Sequence, residues 1–156
     1  MRRPALCVVG LALLMGAALW LRHDHDAAPW RVSEAEARVY LDRIVAAAHA
    51  HDVNGVCALN HTASTCRAIV QYVGGPSSVP DQPPVIVGTR YKPDKGEEVG
   101  GVVLVVEGKD GLGKAYHTEV LVFRDDKNGA LTAINAVYWS GSRIMSNGDA
   151  TSPDPR

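Results

Sequence analysis

The feature that most constrains the fold of this chain is a change in apolar spacing on either side of a proline-rich segment. Before residue 74, apolar residues recur at steps of three and four, which is the period of an amphipathic helix. After residue 84 they come in β-branched and aromatic runs, which are typical of strands. Residues 74–84 (GGPSSVPDQPP) carry four prolines and predict a connector. Helices followed by strands predict an α+β fold, in which helices pack on one face of an antiparallel sheet.

Two helices are predicted before the connector. Ser33 and Glu36 have the spacing of a capping box, and an amphipathic helix follows them to about His51. A shorter helix is predicted over residues 63–73, because two glycines and a proline end it at residue 74. The apolar face of the first helix comprises Ala37, Tyr40, Leu41, Ile44, Val45 and Ala48.

Four strands are predicted after the connector, over residues 85–91, 99–107, 115–124 and 131–140. Short turns that contain glycine join the last three, so we expect an antiparallel meander. Gly88, Gly100 and Gly101 lie inside the predicted strands and indicate bulges that would curve the sheet.

The first 29 residues predict a membrane anchor and its flank. Arg2 and Arg3 precede an uncharged apolar span of 17 residues, 5–21, which ends at the charged residue Arg22. The residues that follow make a poor cleavage site, so an uncleaved signal anchor is favoured over a cleaved signal peptide. We therefore expect a single-pass protein of the cell membrane with an extracytoplasmic C-terminal domain, or a secreted domain if the signal is cleaved.

The predicted domain spans residues 30–145. Residues 146–156 are polar and rich in proline, and they predict a disordered tail. Within the domain, Cys57 and Cys66 are nine positions apart, and in an oxidising compartment such a pair most often forms a disulfide. The alternative, a redox or metal site, favours closer cysteines or further ligands in register.

Charge and histidine placement argue against two other classes of site. The net charge is −1 with both signs interspersed, so nucleic acid is not an expected partner. His23 and His25 lie where the predicted anchor meets water, and His49 and His51 lie at a predicted helix end. Because neither pair has the arrangement of a metal site, we predict no metal and no cofactor.

His117 and Glu119 alternate along one face of the third predicted strand, and they are the candidate site in this domain. Turned inward, they could form an acid–base pair or line a pocket with Tyr40, Asn135 and Tyr138. Turned outward, they would form an exposed polar edge, which is the favoured interpretation. We therefore predict no catalytic residue, and the chain is less expected to be an enzyme than a binding domain.

The order of elements, with strand segments such as residues 102–106 (VVLVV) and 120–123 (VLVF), resembles the NTF2-like (cystatin-like cone) superfamily. The resemblance covers roughly residues 30–143. Within the superfamily, the chain most resembles the single-pass bacterial members, such as Mce-associated membrane proteins. It implies a cone in which helices and sheet enclose a pocket, used for ligands, for catalysis in a few members, or for dimerisation and scaffolding. Three helices commonly precede the sheet in this superfamily, whereas two are predicted here.

Two functions follow from these features. The first is a membrane-tethered accessory domain without catalytic activity, which binds an envelope protein or a second copy of itself. Its interaction surface would comprise Tyr91 and Trp139, together with Tyr138, if these aromatic side chains are exposed. The alternative is a small-ligand-binding or catalytic cone that uses the inward arrangement of His117, Glu119 and Tyr40.

Overall fold

The computed structural model of the chain describes residues 31–95 and 99–144, so the predicted anchor and tail lie outside the described residues. Three helices come first, then a short 3₁₀ turn at Gly75–Ser78 and four strands. The helices are α1 (Glu34–His49), α2 (Val53–Ala58) and α3 (Ala63–Tyr72). The strands are β1 (Val85–Lys92), β2 (Gly101–Lys109), β3 (Ala115–Arg124) and β4 (Leu131–Ile134). None of the described helices has the length and apolar character needed to cross a bilayer.

The strands form one antiparallel sheet in the order β1-β2-β3-β4. This confirms the predicted α+β class and four-stranded meander. The register of β1 against β2 shifts between Ile86 and Gly88, which places a bulge at one of the predicted glycines. Because a bulge bends its strand and increases the local twist, β1 departs here from a regular ladder.

The prediction of two helices is wrong, because α2 is a third. This helix has six residues and follows α1 after a short turn in which His51 adopts a positive φ of 53°. The side chain of Asp52 caps it by accepting a hydrogen bond from the backbone N–H of Gly55 at 2.8 Å. A Cβ atom at position 55 would collide with the Asp52 carboxylate, so a side chain there would displace the cap.

The predicted fourth strand is shorter than expected and ends at Ile134. Asn135 adopts a positive φ of 63°, which turns the chain away from β3. Residues 136–139 are then buried, and the chain returns to β3 where the N–H of Glu119 donates to the carbonyl of Ser142 at 2.9 Å. The excursion therefore carries Tyr138 and Trp139 into the core.

The main core lies between the helices and one face of the sheet, which we call the inner face. The apolar stripe of α1 packs there against alternate residues of β2 and β3, as the period of two along a strand requires. The inner-face residues of β2 and β3 include Val102, Leu104, Val106, Val120 and Val122. The opposite, outer face carries a smaller apolar cluster of Val103, Leu121 and Phe123.

The linker between α2 and α3 covers the free edge of β4. The N–H of Ala133 donates to the carbonyl of Leu59 at 3.1 Å, and the N–H of His61 donates to the carbonyl of Ala133 at 2.7 Å. The Tyr40 hydroxyl donates to the same Leu59 carbonyl at 2.9 Å, which ties α1 to this linker. We call residues 59–61 the edge-covering segment, because it satisfies backbone groups that an edge strand otherwise exposes.

A disulfide between Cys57 and Cys66 closes the loop that contains the edge-covering segment, which confirms the predicted pairing. The two Cα atoms are 5.4 Å apart, and both residues are fully buried. The bond therefore joins the end of α2 to the first turns of α3 and restricts the conformations of the segment between them.

Replacing Cys57 and Cys66 with alanine should lower the free energy of unfolding by about 2.5–3 kcal/mol, because the unfolded chain loses a short covalent loop. Urea unfolding of the full chain in detergent measures this change. Cys7 is the third cysteine of the sequence, in the predicted anchor, and the Cys7→Ser variant is the control that should unfold as the wild type does. An unchanged midpoint in the double variant would contradict the structural role of the bond.

Glu36 connects the start of α1 to the sheet. One carboxylate oxygen accepts from the backbone N–H and the hydroxyl of Ser33, at 2.9 and 2.8 Å, which completes the predicted capping box. The other accepts from the guanidinium of Arg124 at the end of β3. The backbone hydrogen bond from Ser33 is the main cause that lowers the pKa of Glu36, and the charge of Arg124 adds to it.

Acidification should remove the stability that the Glu36 carboxylate contributes. Because its pKa is lowered by folding, that contribution is present above the unfolded pKa and is lost as the pH falls through the folded pKa. In the Glu36→Gln variant, the amide oxygen can still accept the hydrogen bonds from Ser33, but the side chain carries no charge. The variant should be less stable than the wild type at about pH 7, and the difference in unfolding free energy should shrink towards about pH 3. A difference that stays constant over this range would count against the ionic contribution.

Candidate functional site

His117 and Glu119 lie on the outer face of the sheet, where both side chains already have charged partners. His117 Nδ1 is 2.8 Å from Glu107 Oε1 on β2, and half of the histidine side chain is exposed. Glu119 Oε2 accepts from the guanidinium of Arg90 at 3.0 Å and from the backbone N–H of Ile144 at 2.9 Å. Glu119 therefore contributes to a structural ion pair across β1, β2 and β3.

Tyr40 lies on the other side of the sheet, so the inward arrangement of His117 and Glu119 is wrong. Alternation along β3 directs Tyr116 and Thr118 inward and the two candidate residues outward. The Tyr40 ring is buried in the main core, where burial is the main cause that raises the pKa of its hydroxyl. The sheet itself separates Tyr40 from the ion pairs, and these residues do not line a common pocket.

Asn135 and Tyr138 occupy structural positions near the turn that ends β4. The Asn135 amide donates to the carbonyl of Glu119 at 3.1 Å, which holds the turn against β3. Tyr138 is fully buried, and its ring meets those of Tyr116 and Trp139 edge-on, at centroid distances of 6.0 and 5.0 Å. Burial raises the pKa of Tyr116 to about 12 and raises that of Tyr138 further.

The predicted aromatic interaction surface is wrong for Trp139 and Tyr138. Trp139 is 2% exposed, and its indole N–H donates to the Ser78 hydroxyl at 3.0 Å inside the core. Tyr91 is the remaining member of the predicted surface and is 45% exposed on β1. The aromatic pair at 138–139 therefore packs the core, where the Trp139 N–H has a hydrogen-bond partner and the buried Tyr138 hydroxyl has none among the described residues.

Exposed apolar side chains instead occur along β1, although not on one face. The register pairs Val85 with Glu107 on the outer face and Tyr91 with Val102 on the inner face. Val85 is 63% exposed and Val87 is 49% exposed, and both lie on the same strand as Tyr91. β1 is an edge strand, and no other described element pairs with its outer side. Sequence reasoning missed the two valines because their exposure depends on the position of β1 in the sheet, which alternation along one strand does not reveal.

A second surface feature is a shallow groove of about 260 Å³ along α1, open to solvent. Four-residue steps place Ala35, Val39 and Arg43 along it, and the mostly buried Tyr40 also lines it. The Arg43 guanidinium lies 5.1 Å from the centroid of the Tyr40 ring, in cation–π geometry. Glu36 and Leu131 complete the lining.

In the described part of the chain, no three histidine, cysteine, aspartate or glutamate side chains come together as a metal site would require. The predicted histidine cluster at residues 23–26 lies outside the described residues.

Comparisons with protein-family models, with curated proteins and with solved structures find no match to this chain. The resemblance to the NTF2-like superfamily therefore stays a prediction.

Replacing Trp139 with alanine should destabilise the domain rather than weaken a surface contact. We expect a loss of about 3–5 kcal/mol in unfolding free energy, because the substitution leaves a cavity in the core. It also removes the indole hydrogen bond to the Ser78 hydroxyl, which keeps its own hydrogen bond to the Gly75 carbonyl. Tyr91→Ala is the comparison and should cost about 1 kcal/mol or less. Urea unfolding measures both, and equal effects of the two substitutions would contradict this assignment.

Proposed function

We propose that this chain is a membrane-tethered, extracytoplasmic interaction domain without catalytic activity, which binds an extended segment of an envelope protein at the edge of β1. The observation that carries the proposal is the exposure of Val85, Val87 and Tyr91 on one edge strand. An exposed edge presents backbone donors and acceptors, and a partner strand that adds to it gains main-chain hydrogen bonds and apolar contacts.

The difference between the two edges of the sheet supports this surface. The edge-covering segment occupies the β4 side through backbone hydrogen bonds to Ala133. Among the described residues, no such segment occupies the β1 side. Natural proteins usually protect both edges of a sheet, so one protected and one open edge favour a binding role for the open edge.

Features of β1 also support selective rather than indiscriminate pairing. The bulge between Ile86 and Gly88 twists the strand, and Arg90 adds a positive charge. Both are devices that discourage pairing with arbitrary strands. A partner strand would need a backbone that follows the bulge in β1. It would also have to accommodate the ion pair on the outer face, in which the Arg90 guanidinium is 3.0 Å from Glu119 Oε2.

Two further observations support the location and the architecture. The buried Cys57–Cys66 disulfide is the kind of bond that persists in oxidising compartments, in agreement with the predicted signal anchor. The third helix, α2, brings the helices before the sheet to the number common in the NTF2-like superfamily. We therefore keep the NTF2-like, bacterial envelope assignment as part of the proposal.

The engagement of Glu119 supports a role without catalysis. Glu119 Oε2 accepts from Arg90 and from the Ile144 N–H, and these two contacts hold the carboxylate in a structural ion pair on the outer face. The charge of Arg90 favours the ionised carboxylate and competes with proton transfer to it. His117 contacts Glu107 on the outer face, and Tyr40 lies on the opposite side of the sheet.

Photo-cross-linking in the native membrane tests the proposed surface. A benzophenone side chain at position 87 of the full chain should give one discrete adduct with a partner protein. The control carries the same group at Leu112, which is 62% exposed against 49% for Val87, so greater exposure alone would favour the control. Adding Val85→Lys should remove the adduct, because a lysine opposes burial at the contact.

The proposal fails if position 87 gives no adduct, or if Leu112 gives the same adduct with equal yield. An adduct of twice the mass of the chain would identify a second copy and overturn the assignment of an envelope partner.

A further inference from the structure

The geometry points to a ligand site in the groove along α1, which we infer binds a small monocarboxylate with a short aliphatic chain. This inference rests on the groove alone and is independent of the β1 edge. The floor of the groove is apolar, formed by Ala35, Val39, the Tyr40 ring and Leu131. Val39 is 62% exposed there, so an alkyl chain laid on it would remove apolar surface from water.

Charge decides which end group the ligand carries. In the described part of the chain, Arg43 forms no ion pair, and its guanidinium contacts the Tyr40 ring instead. Glu36, the acid of the lining, is already occupied on both oxygens by Ser33 and Arg124. The groove therefore presents one uncompensated positive charge at the end of an apolar floor.

A carboxylate fits this charge better than the other common end groups. Arginine donates two parallel hydrogen bonds to a carboxylate, whereas an alkylamine would place two positive charges together. An alcohol would gain contact with the floor but no charge-assisted hydrogen bond. The volume of about 260 Å³ lies just below the range typical of drug-sized ligands, which favours a short chain.

The site differs from the one expected from the sequence. Of the predicted pocket residues, only Tyr40 lines the groove, and its hydroxyl is engaged with the Leu59 carbonyl. The Tyr40 hydroxyl is therefore not the group that would hold the ligand. This leaves Arg43 as the polar contact of the ligand.

A photoreactive octanoate, which carries a diazirine on its alkyl chain, tests the site on the full chain in lipid nanodiscs. Irradiation should label the peptide that contains Val39 and Tyr40, or the peptide that contains Leu131. Excess octanoate should compete with this labelling, whereas octylamine and octanol should not. The Arg43→Gln variant should lose about tenfold or more in apparent affinity, since a charge-assisted hydrogen bond is removed.

The matched control is Arg67→Gln, which removes an exposed helical arginine outside the groove and should leave labelling unchanged. A second variant, Val39→Trp, should block the floor and reduce labelling while Arg43 is intact. Circular dichroism of each variant should match the wild type.

Labelling that is equal in wild type and Arg43→Gln would overturn the inference. Competition by octylamine as strong as that by octanoate would overturn it as well, as would labelling confined to peptides outside the groove. None of these results depends on a partner at β1, so the inference and the proposed function fail separately.

Discussion

The hydrogen bonds that join Leu59 and His61 to Ala133 are the contacts on which the arrangement of this domain depends. Two backbone groups of one strand residue are satisfied by a linker between helices, and the Tyr40 hydroxyl converges on the same Leu59 carbonyl. These contacts fix the position of α1, the linker and the last strand relative to one another. Because buried backbone groups without partners are costly, loss of this junction would affect the helices and the sheet together.

This junction also determines which surfaces remain for binding. With Ala133 of the β4 edge paired to the linker, the edge without a pairing segment among the described residues is that of β1, where Val85 and Val87 are exposed to solvent. The excursion after Asn135 fills the core with Tyr138 and Trp139, so the helix-facing side of the sheet carries a packed core. The groove along α1 lies outside that core and is the place where an apolar floor meets the Arg43 charge.

Local sequence signals were sufficient to predict much of the fold. The capping box at Ser33 and Glu36 predicted the start of α1, and the spacing of Cys57 and Cys66 in a chain with a predicted signal anchor predicted the disulfide. The helix α2 was missed because Asn54 and Gly55 indicate a turn, whereas the Asp52 cap allows one short helix across them. Strand alternation correctly placed His117 and Glu119 on one face. It could not show which face meets the helices, because that depends on tertiary packing. The groove was not predicted, since it needs Leu131 from β4 beside α1.

The closed loop around the edge-covering segment has a consequence for the order of events during biogenesis. Before the disulfide forms, the loop that contains residues 59–61 is not restricted, and hydrogen bonds alone hold it against Ala133. The β4 edge of the reduced sheet is therefore less firmly covered, in addition to the open edge of β1. Formation of the disulfide does not bond the segment to the sheet, but it restricts the loop and so favours the contact with Ala133. A cell deficient in thiol oxidation should therefore accumulate self-associated rather than merely unfolded chains, with the sheet margin near Ala133 as the point of contact.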